Sequence, residues 1–499
     1  MDARSQRLWQ RGMAHFQQGN LAAAQAAFEA MLAVDPRSGP ALFRLSLLHA
    51  RQGRYLRAGA LARRALEDQP ERAELLVHLA RCELMCGRPE AARALATRAL
   101  SMPRDDAVLL DALGAVFTRL DEQALAIELF DQAIALRPDM AALHFNRALA
   151  QRIFGQLAAA ERDLERCLEL EPTHAKAHWA LAELAPRGPL DNHVGRLRTQ
   201  LARVPAGSLQ EEMLSLSLFK ELDDLGQHGE AGAALERGIA SRRDRWASSG
   251  QETRAASDAI LRICGDDFPV PAPTRGAVTP VFVVGMPGAG VALLGQILSR
   301  HSKVHHLGSL RPFSRLLSEA IGRDSSAAFE AAAYERAAGI DFERLGASWL
   351  EAVSPAAGRQ PLVCESRPLN FQLAAFIARA LPGARFLHVT RDPVDNCLSI
   401  LARPGGEASL PSHDAGRLAS AYLDYRRVML HWDRLLPGRL FEVSYESLVE
   451  KPETVLRVLC AFLGIRYGSA LRTGLMLHAR GIGRGERYLD RLPALRALA

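Results

Sequence analysis

The sequence predicts an α-helical solenoid followed by an α/β domain with a parallel sheet. Two observations support this fold class: proline recurs at a nearly constant interval in the first half, and short β-branched runs alternate with helical stretches in the second. A stretch rich in proline and glycine separates the two patterns. We therefore expect a helical repeat domain over residues 1–245, a linker over 246–279 and an α/β domain over 280–499.

The composition is that of an ordinary globular protein. The chain has 499 residues, of which 48% are hydrophobic and 24% charged, and its formal net charge is +6. This length corresponds to about two to four domains. Because no basic block is interleaved with aromatic residues, we do not expect nucleic acid as a partner. The seven cysteines show no pairing pattern, which favours a reducing compartment, and no grouping with histidine predicts a metal site.

Residues 276–299 form the stretch whose composition most suggests a membrane span. They contain no charged residue and are long enough to cross a bilayer. However, two prolines and a cluster of glycines would leave backbone groups unsatisfied in lipid. The N-terminal residues also lack the apolar core of a signal peptide. We therefore expect a soluble, cytoplasmic chain without a membrane span.

The first half contains five consecutive repeat units. Their prolines lie close to every 34 residues, at Pro36, Pro70, Pro103, Pro138 and Pro172. Two helices per unit account for the pattern, because small residues allow the helices to approach, aromatic residues fill the space between units, and proline ends the second helix. The pattern resembles the tetratricopeptide repeat (TPR). That resemblance implies a groove that binds a protein or peptide. After Pro172 the register loosens, and a helix pair at 211–224 and 230–243 is expected to close the solenoid.

Residues 280–299 predict a strand, a glycine turn and a helix. The β-branched run 281–284 enters a turn containing Gly285, Gly288 and Gly290, and a helix-prone stretch follows. This arrangement presents backbone N–H groups and a positive helix end to a phosphate. Many strand–helix connections contain glycine for steric reasons alone, so the turn by itself leaves both interpretations open.

Residues 389–399 form a second candidate phosphate site. Asp392 and Pro393 have the residue types of an N-cap and a first helical position. Arg391 can place donors at the mouth of that helix, and Ser399 lies about two turns along on the same face. The alternative is a surface ion pair and an ordinary cap. Strands predicted at 281–284, 383–389 and 440–445 alternate with helices, and ligands of such sheets bind at the carboxyl ends of the strands.

The second half resembles the PAPS-dependent sulfotransferases, most closely the bacterial TPR-linked group that is similar to protein-tyrosine sulfotransferases. PAPS is 3′-phosphoadenosine-5′-phosphosulfate. In that family, G-M-P-R-S-G-T-T-L-L-x-Q holds the 5′-phosphosulfate and R-D-P-x-D-x-x-x-S holds the 3′-phosphate. The chain matches the second motif fully and the first in part. The resemblance implies a sulfotransferase (P-loop-like) fold, PAPS as co-substrate without a metal, and a protein, peptide or small hydroxyl acceptor.

The same resemblance implies a set of donor-binding positions. They are Gly285, Gly288, Ala289, Gly290, Val291, Ala292, Arg391, Ser399, Tyr445 and Arg484. Several family side chains are missing. The replacements are Gly288 and Ala289 for Arg-Ser, Val291 and Ala292 for two threonines, Ser309 for the general base, and Ser366 for a lysine. His305, His306 and Arg311 lie near these positions as possible substitutes, and no catalytic residue is assigned. Two interpretations follow: an active sulfotransferase, or a catalytically impaired one that acts as a TPR interaction scaffold.

Overall fold

The computed structural model describes residues 3–103, 105–246, 251–274, 276–308, 312–323, 329–357, 360–405, 410–472 and 481–499. The chain divides into two compact units, Met1–Leu184 and Ala185–Ala499.

The secondary structure elements in the described residues of the first unit are all α-helices. Its helices are α1 (Ala3–Gln17), α2 (Leu21–Val34), α3 (Gly39–Arg51), α4 (Tyr55–Asp68), α5 (Ala73–Met85), α6 (Pro89–Leu100), α7 (Ala107–Arg119), α8 (Gln123–Leu136), α9 (Ala141–Phe154), α10 (Leu157–Leu170) and α11 (Ala175–Leu184). Consecutive helices pack as pairs from α1 with α2 to α9 with α10. The five predicted repeat units are therefore confirmed as five helix pairs, and α11 follows them.

Small residues permit the helices of a pair to approach closely. A Cβ atom added to Gly12 would lie 2.7 Å from the ring of Phe28, and one added to Gly114 would lie 2.7 Å from the ring of Phe130. Both phenylalanines are fully buried. In these two pairs, glycine on the first helix thus makes room for the aromatic side chain of the second, and the close approach at small residues is as predicted.

The second unit begins with helices and continues as an α/β domain. Its helices are α12 (Val194–Leu201), α13 (Leu209–Asp224), α14 (His228–Trp246), α15 (Gln251–Ile263), α16 (Val291–Leu298), α17 (Pro312–Ala320), α18 (Ala331–Ala338), α19 (Phe342–Ala357), α20 (Ala374–Ala380), α21 (Pro393–Leu401), α22 (Ala415–Leu435), α23 (Tyr445–Glu450) and α24 (Pro452–Leu463). Its strands are β1 (Thr279–Gly285), β2 (Val304–His306), β3 (Leu362–Ser366), β4 (Arg385–Thr390) and β5 (Leu440–Ser444). Short 3₁₀ helices include Pro368–Leu373, Gly485–Tyr488 and Pro493–Leu498.

The strands form one parallel sheet in the order β2-β3-β1-β4-β5. The chain leaves β1 for β2 and β3 on one side and then crosses to β4 on the other. The strand order therefore reverses between β1 and β4, which is where open parallel sheets form a ligand-binding crevice at the carboxyl ends. Gly285 pairs with Val389 at that end. The sheet and three of its strands were predicted, whereas β2 and β3 were not singled out in the sequence.

Helices α12–α15 pack within the second unit. Arg242 of α14 is fully buried and donates to the carbonyl oxygens of Ser412 at 3.0 Å and Leu401 at 3.1 Å. Its Nε lies 3.2 Å from the buried carboxylate of Glu212 on α13. The pair α13 and α14, expected to close the solenoid, is thus fixed to the α/β domain. The predicted limits at residues 245 and 280 stay predictions, and helix α15 lies inside the predicted linker.

None of the helices in the described ranges combines the length and apolarity that a bilayer crossing requires. The uncharged stretch 276–299 consists instead of strand β1, the glycine turn and helix α16.

The buried ion pair of Arg242 and Glu212 predicts a large loss of stability in Glu212→Gln. Removing one partner leaves the other charge buried, which costs about 3–5 kcal/mol. We expect the second unit to unfold at lower urea concentration, measured by mass-spectrometric thiol labelling of Cys364 and Cys397, which are buried. The matched control is Glu230→Gln, which breaks an exposed pair with Arg198 and should cost about 1 kcal/mol or less. Equal midpoints for the two variants would contradict the assignment.

Candidate anion-binding site

The turn between β1 and α16 has a shape that only glycine permits at two positions. Gly288 has φ 85° and Gly290 has φ 107°, both in the region that side chains rarely adopt. A Cβ atom on Gly290 would lie 2.9 Å from the ring of Tyr445. On Gly288 it would lie 2.2 Å from Ser399 Oγ. The turn is therefore packed directly against Ser399 of helix α21 and against Tyr445, which follows β5.

Helix α16 begins at Val291, immediately after this turn. Gly290 provides no side-chain cap, and the first N–H groups of a helix have no acceptor within the helix. Together with the helix dipole they favour an anion at this end. The side chains of Ala289 and Val291 are 1% and 2% exposed and belong to the domain core. These two predicted positions can therefore contribute only backbone groups, whereas Ala292 is exposed.

Arg391 follows β4 and reaches back over the turn. Its Nη1 donates to Gly288 O at 3.0 Å, and its Nη2 donates to Gly481 O at 2.8 Å. The guanidinium lies 4.8 Å from the centre of the Tyr445 ring. Its Nε is buried and has no hydrogen-bond partner among the described residues. Two of its five N–H groups thus donate to the carbonyl oxygens named above, and three do not. The buried Nε–H is a donor that suits a phosphate oxygen.

Ser399 and Asn396 of helix α21 contact the same turn. Asp392 caps this helix as predicted, accepting from the N–H groups of Val394 and Asp395. Ser399 Oγ donates to Asn396 O at 2.7 Å, and Asn396 Nδ2 donates to Pro287 O at 2.7 Å. Asn396 Oδ1 is buried and has no partner within the part of the chain that the structure describes. Being an acceptor, it suits an N–H or hydroxyl group rather than an anion. Sequence reasoning missed Asn396, although it lies one helical turn before Ser399.

Two tyrosines of α22 form hydrogen bonds with Arg391 and with strand β4. Tyr422 donates to Arg391 O at 3.3 Å. Tyr425 is hydrogen-bonded to His388 of β4, and both side chains are buried. Burial lowers the pKa of His388 to about 4, so its imidazole is neutral near pH 7. The conformation behind Arg391 is therefore fixed by neutral hydrogen bonds.

The structure does not bring every predicted residue together. Arg391, Ser399, Tyr445 and the glycines converge on the turn. Arg484 makes its contacts with α13 instead: its Nε donates to Asp223 at 2.8 Å and its guanidinium lies over the ring of Phe219.

Ser366, at the position of the missing lysine, is hydrogen-bonded to a histidine. Ser366 Oγ lies 2.7 Å from His306 Nε2 at the carboxyl ends of β3 and β2. Burial, with a smaller contribution from His305, lowers the pKa of His306. A Cβ atom on Gly295 would lie 2.7 Å from both atoms of the pair, so the pair packs against the middle of α16. Ser309 and Arg311 lie outside the described residues.

Comparison with known families matches both parts of the chain. Residues 280–469 match the sulfotransferase family model. Residues 10–70 and 119–166 match one tetratricopeptide repeat model, and residues 49–116 match another.

Among similar proteins is an uncharacterized protein of Aquifex aeolicus (strain VF5), 31% identical over 198 residues, which are 37% of this chain and 25% of the relative. A protein-tyrosine sulfotransferase of Drosophila melanogaster is 24% identical over 206 residues, 38% of this chain and 39% of the relative. The chain thus spans well under half the length of either. Among solved structures, the MamA protein is 22% identical, with coverage of 35% and 96% and a TM-score of 0.29.

The close packing of the turn predicts how Gly288→Ala behaves. The substitution should destabilise the second unit by about 1–2 kcal/mol through the positive φ, with about 1–3 kcal/mol more from overlap with Ser399. Gly438→Ala is the matched control, because Gly438 has φ 69° and open space around its Cβ position. In the double variant with Ser399→Ala, the stability lost through overlap should be recovered, whereas the stability lost through the positive φ should not. The same thiol-labelling assay measures it, and a Gly288→Ala midpoint equal to that of the control would refute the packing.

Proposed function

Because the chain carries tetratricopeptide repeats followed by a domain of the sulfotransferase family, we propose that it is a PAPS-dependent sulfotransferase. The observation that carries the proposal is the convergence of Arg391 and Ser399 on Gly288. Arg391 donates to its carbonyl oxygen, and Ser399 Oγ occupies the space of its missing side chain. A cation, a hydroxyl and a helix N-terminus thus meet at the reversal point of the sheet, where such folds bind phosphates.

The residues present fit one end of PAPS better than the other. Arg391 and Ser399 would hold the 3′-phosphate, with Tyr445 supporting the guanidinium. At the 5′ end, the described residues offer backbone N–H groups around Gly288–Ala292 and the positive end of α16. When bound, PAPS supplies the sulfuryl group. This chain would stabilise the charge on the 5′ side with backbone dipoles, and each side-chain donor that is absent there costs on the order of 10²–10³ in rate.

The acceptor is proposed to be a hydroxyl on a protein, a peptide or a small molecule. The repeats support the protein or peptide class, because stacked helix pairs form an extended groove that binds such partners. The seven cysteines are buried and form no disulfide bond with one another, which is consistent with the cytoplasm, where thiols stay reduced. The role of the repeats would be to raise the local concentration of the acceptor rather than to take part in the chemistry.

A second candidate function is favoured by the occupied positions in the crevice. Ser399 fills the space at Gly288 where a family arginine would begin, and Ser366 is bonded to His306 where the family has lysine. A chain built in this way could bind the nucleotide and transfer sulfate slowly or not at all. It would then act as a TPR interaction scaffold. Restoring an arginine at position 288 would also require removal of the Ser399 hydroxyl.

Calorimetric titration with adenosine 3′,5′-bisphosphate (PAP) tests the binding part of this proposal. Wild-type protein should bind PAP, and Arg391→Ala should weaken binding by about 10- to 100-fold. That corresponds to about 1.5–3 kcal/mol for a hydrogen bond to a charged group. Arg457→Ala is the matched control, because it removes the same charge from an exposed pair on α24. Equal affinity of the Arg391 variant and the control would reject the proposed phosphate site.

Transfer of labelled sulfate from PAPS then separates the two candidate functions. Turnover of roughly 1 s⁻¹ or more with any hydroxyl acceptor would support the enzyme. PAP binding without turnover across peptide and small-molecule acceptors would support the scaffold. Absence of PAP binding by the wild type would overturn both candidate functions, because each includes the nucleotide site.

A further inference from the structure

The segment of residues 481–488, here named the C-terminal strap, lies across α21 and contacts two carboxylates. The first is Asp395, whose side chain is 1% exposed. It accepts from the N–H groups of Gly483 at 2.7 Å and Gly485 at 2.5 Å. Gly485 also packs on the helix backbone, since a Cβ atom there would lie 2.8 Å from the carbonyl carbon of Val394. One side of the strap is therefore fixed to α21.

The second carboxylate is Asp223, near the end of α13. It accepts from Arg484 Nε at 2.8 Å and from the hydroxyl of Tyr488. Tyr488 is 1% exposed, and its ring makes an edge contact with Phe219 of α13. Burial and the neighbouring Asp223 raise the pKa of Tyr488, so its hydroxyl remains protonated and donates. The other side of the strap is thus fixed to a helix that precedes the sheet by more than fifty residues.

The strap also contacts the candidate phosphate-binding cation. The carbonyl oxygen of Gly481 accepts from Arg391 Nη2 at 2.8 Å, while Arg391 Nη1 is held by Gly288. A Cβ atom on Gly481 would lie 3.0 Å from the same Nη2. The guanidinium is therefore held between the strap and the glycine turn. Two carbonyl oxygens fix its plane and leave the remaining N–H groups available to a ligand.

We propose that Asp223 is a positioning residue for anion binding: by holding Arg484 and Tyr488 it fixes the strap, and the strap fixes the orientation of Arg391. This inference rests on the proposed function, because it assumes that Arg391 binds the phosphate. It assigns the helices before the sheet a role in the nucleotide site. It also accounts for Arg484, whose guanidinium acts on α13 and not on the ligand.

The physical basis is the entropy of the arginine side chain. A free guanidinium samples many rotamers, and ordering such a side chain has an entropic cost. Where the strap has already fixed it, a phosphate binds without that cost. Loss of the Asp223 charge removes the ion pair with Arg484 and weakens the hydrogen bond from Tyr488, so that the strap and Gly481 are held less firmly.

The test compares Asp223→Asn with Asp224→Asn in the full chain. Asp224 is the next residue of α13, but it accepts from Arg187 N and Lys220 Nζ and makes none of the strap contacts described above. Asp223→Asn should raise the Kd for PAP by roughly three- to tenfold, in the range of coupling within one network. Asp224→Asn should leave it within about twofold. Tyr488→Phe removes a single hydroxyl and provides a milder variant if Asp223→Asn folds poorly.

Two further measurements distinguish positioning from general destabilisation. In an Arg391→Ala background, Asp223→Asn should change the Kd by less than about twofold, because the residue through which it acts is gone. Without ligand, hydrogen exchange should become faster in residues 481–492 and in the glycine turn for Asp223→Asn only. An equal effect of Asp223→Asn with and without Arg391 would overturn the proposal, as would faster exchange confined to the strap. Absence of PAP binding by the wild type would refute the proposed function, while the exchange comparison would still decide the coupling.

Discussion

Close contact between the glycine turn and helix α21, which follows β4, is the constraint on which the site depends. With no side chain at position 288, Ser399 and Asn396 of α21 pack directly on the backbone of the turn, and Arg391 spans it. A larger residue would separate α21 from α16 and move the cation away from the helix N-terminus. Because this contact requires glycine at position 288, that position has no side chain to stabilise charge at the 5′ end. Packing and chemistry therefore compete at one position.

The sequence could predict those parts of the fold and site that depend on local pattern. The proline interval marks helix pairs, and strands β1, β4 and β5 contain apolar or β-branched runs next to recognisable turns. The positions of Arg391 and Ser399 followed from Asp392 as a cap, because helix geometry fixes what lies seven residues later. The structure confirms the cap and brings both side chains to the turn.

Other contacts could not be predicted because they join distant parts of the chain. Asn396 bonds a carbonyl 109 positions away, and Arg484 bonds a carboxylate 261 positions away. Strand β2 has three residues and β3 has five, too few for a hydrophobic period to show. The attachment of α13 and α14 depends on hydrogen bonds from Arg242 to the backbone carbonyls of Leu401 and Ser412, which no periodicity indicates. Because the sequence does not show these contacts, the repeat pattern alone predicted α13 and α14 as the end of the solenoid.

We propose that Arg391 and Ser399 together bind the 3′-phosphate, and a crystal structure of the protein with adenosine 3′,5′-bisphosphate would show whether they do. We expect the 3′-phosphate within hydrogen-bonding distance of Arg391 and Ser399, with Gly481 still bonded to the guanidinium and the 5′-phosphate at the N-terminus of α16. A 3′-phosphate bound elsewhere, or an Arg391 side chain that turns away from the nucleotide, would contradict it.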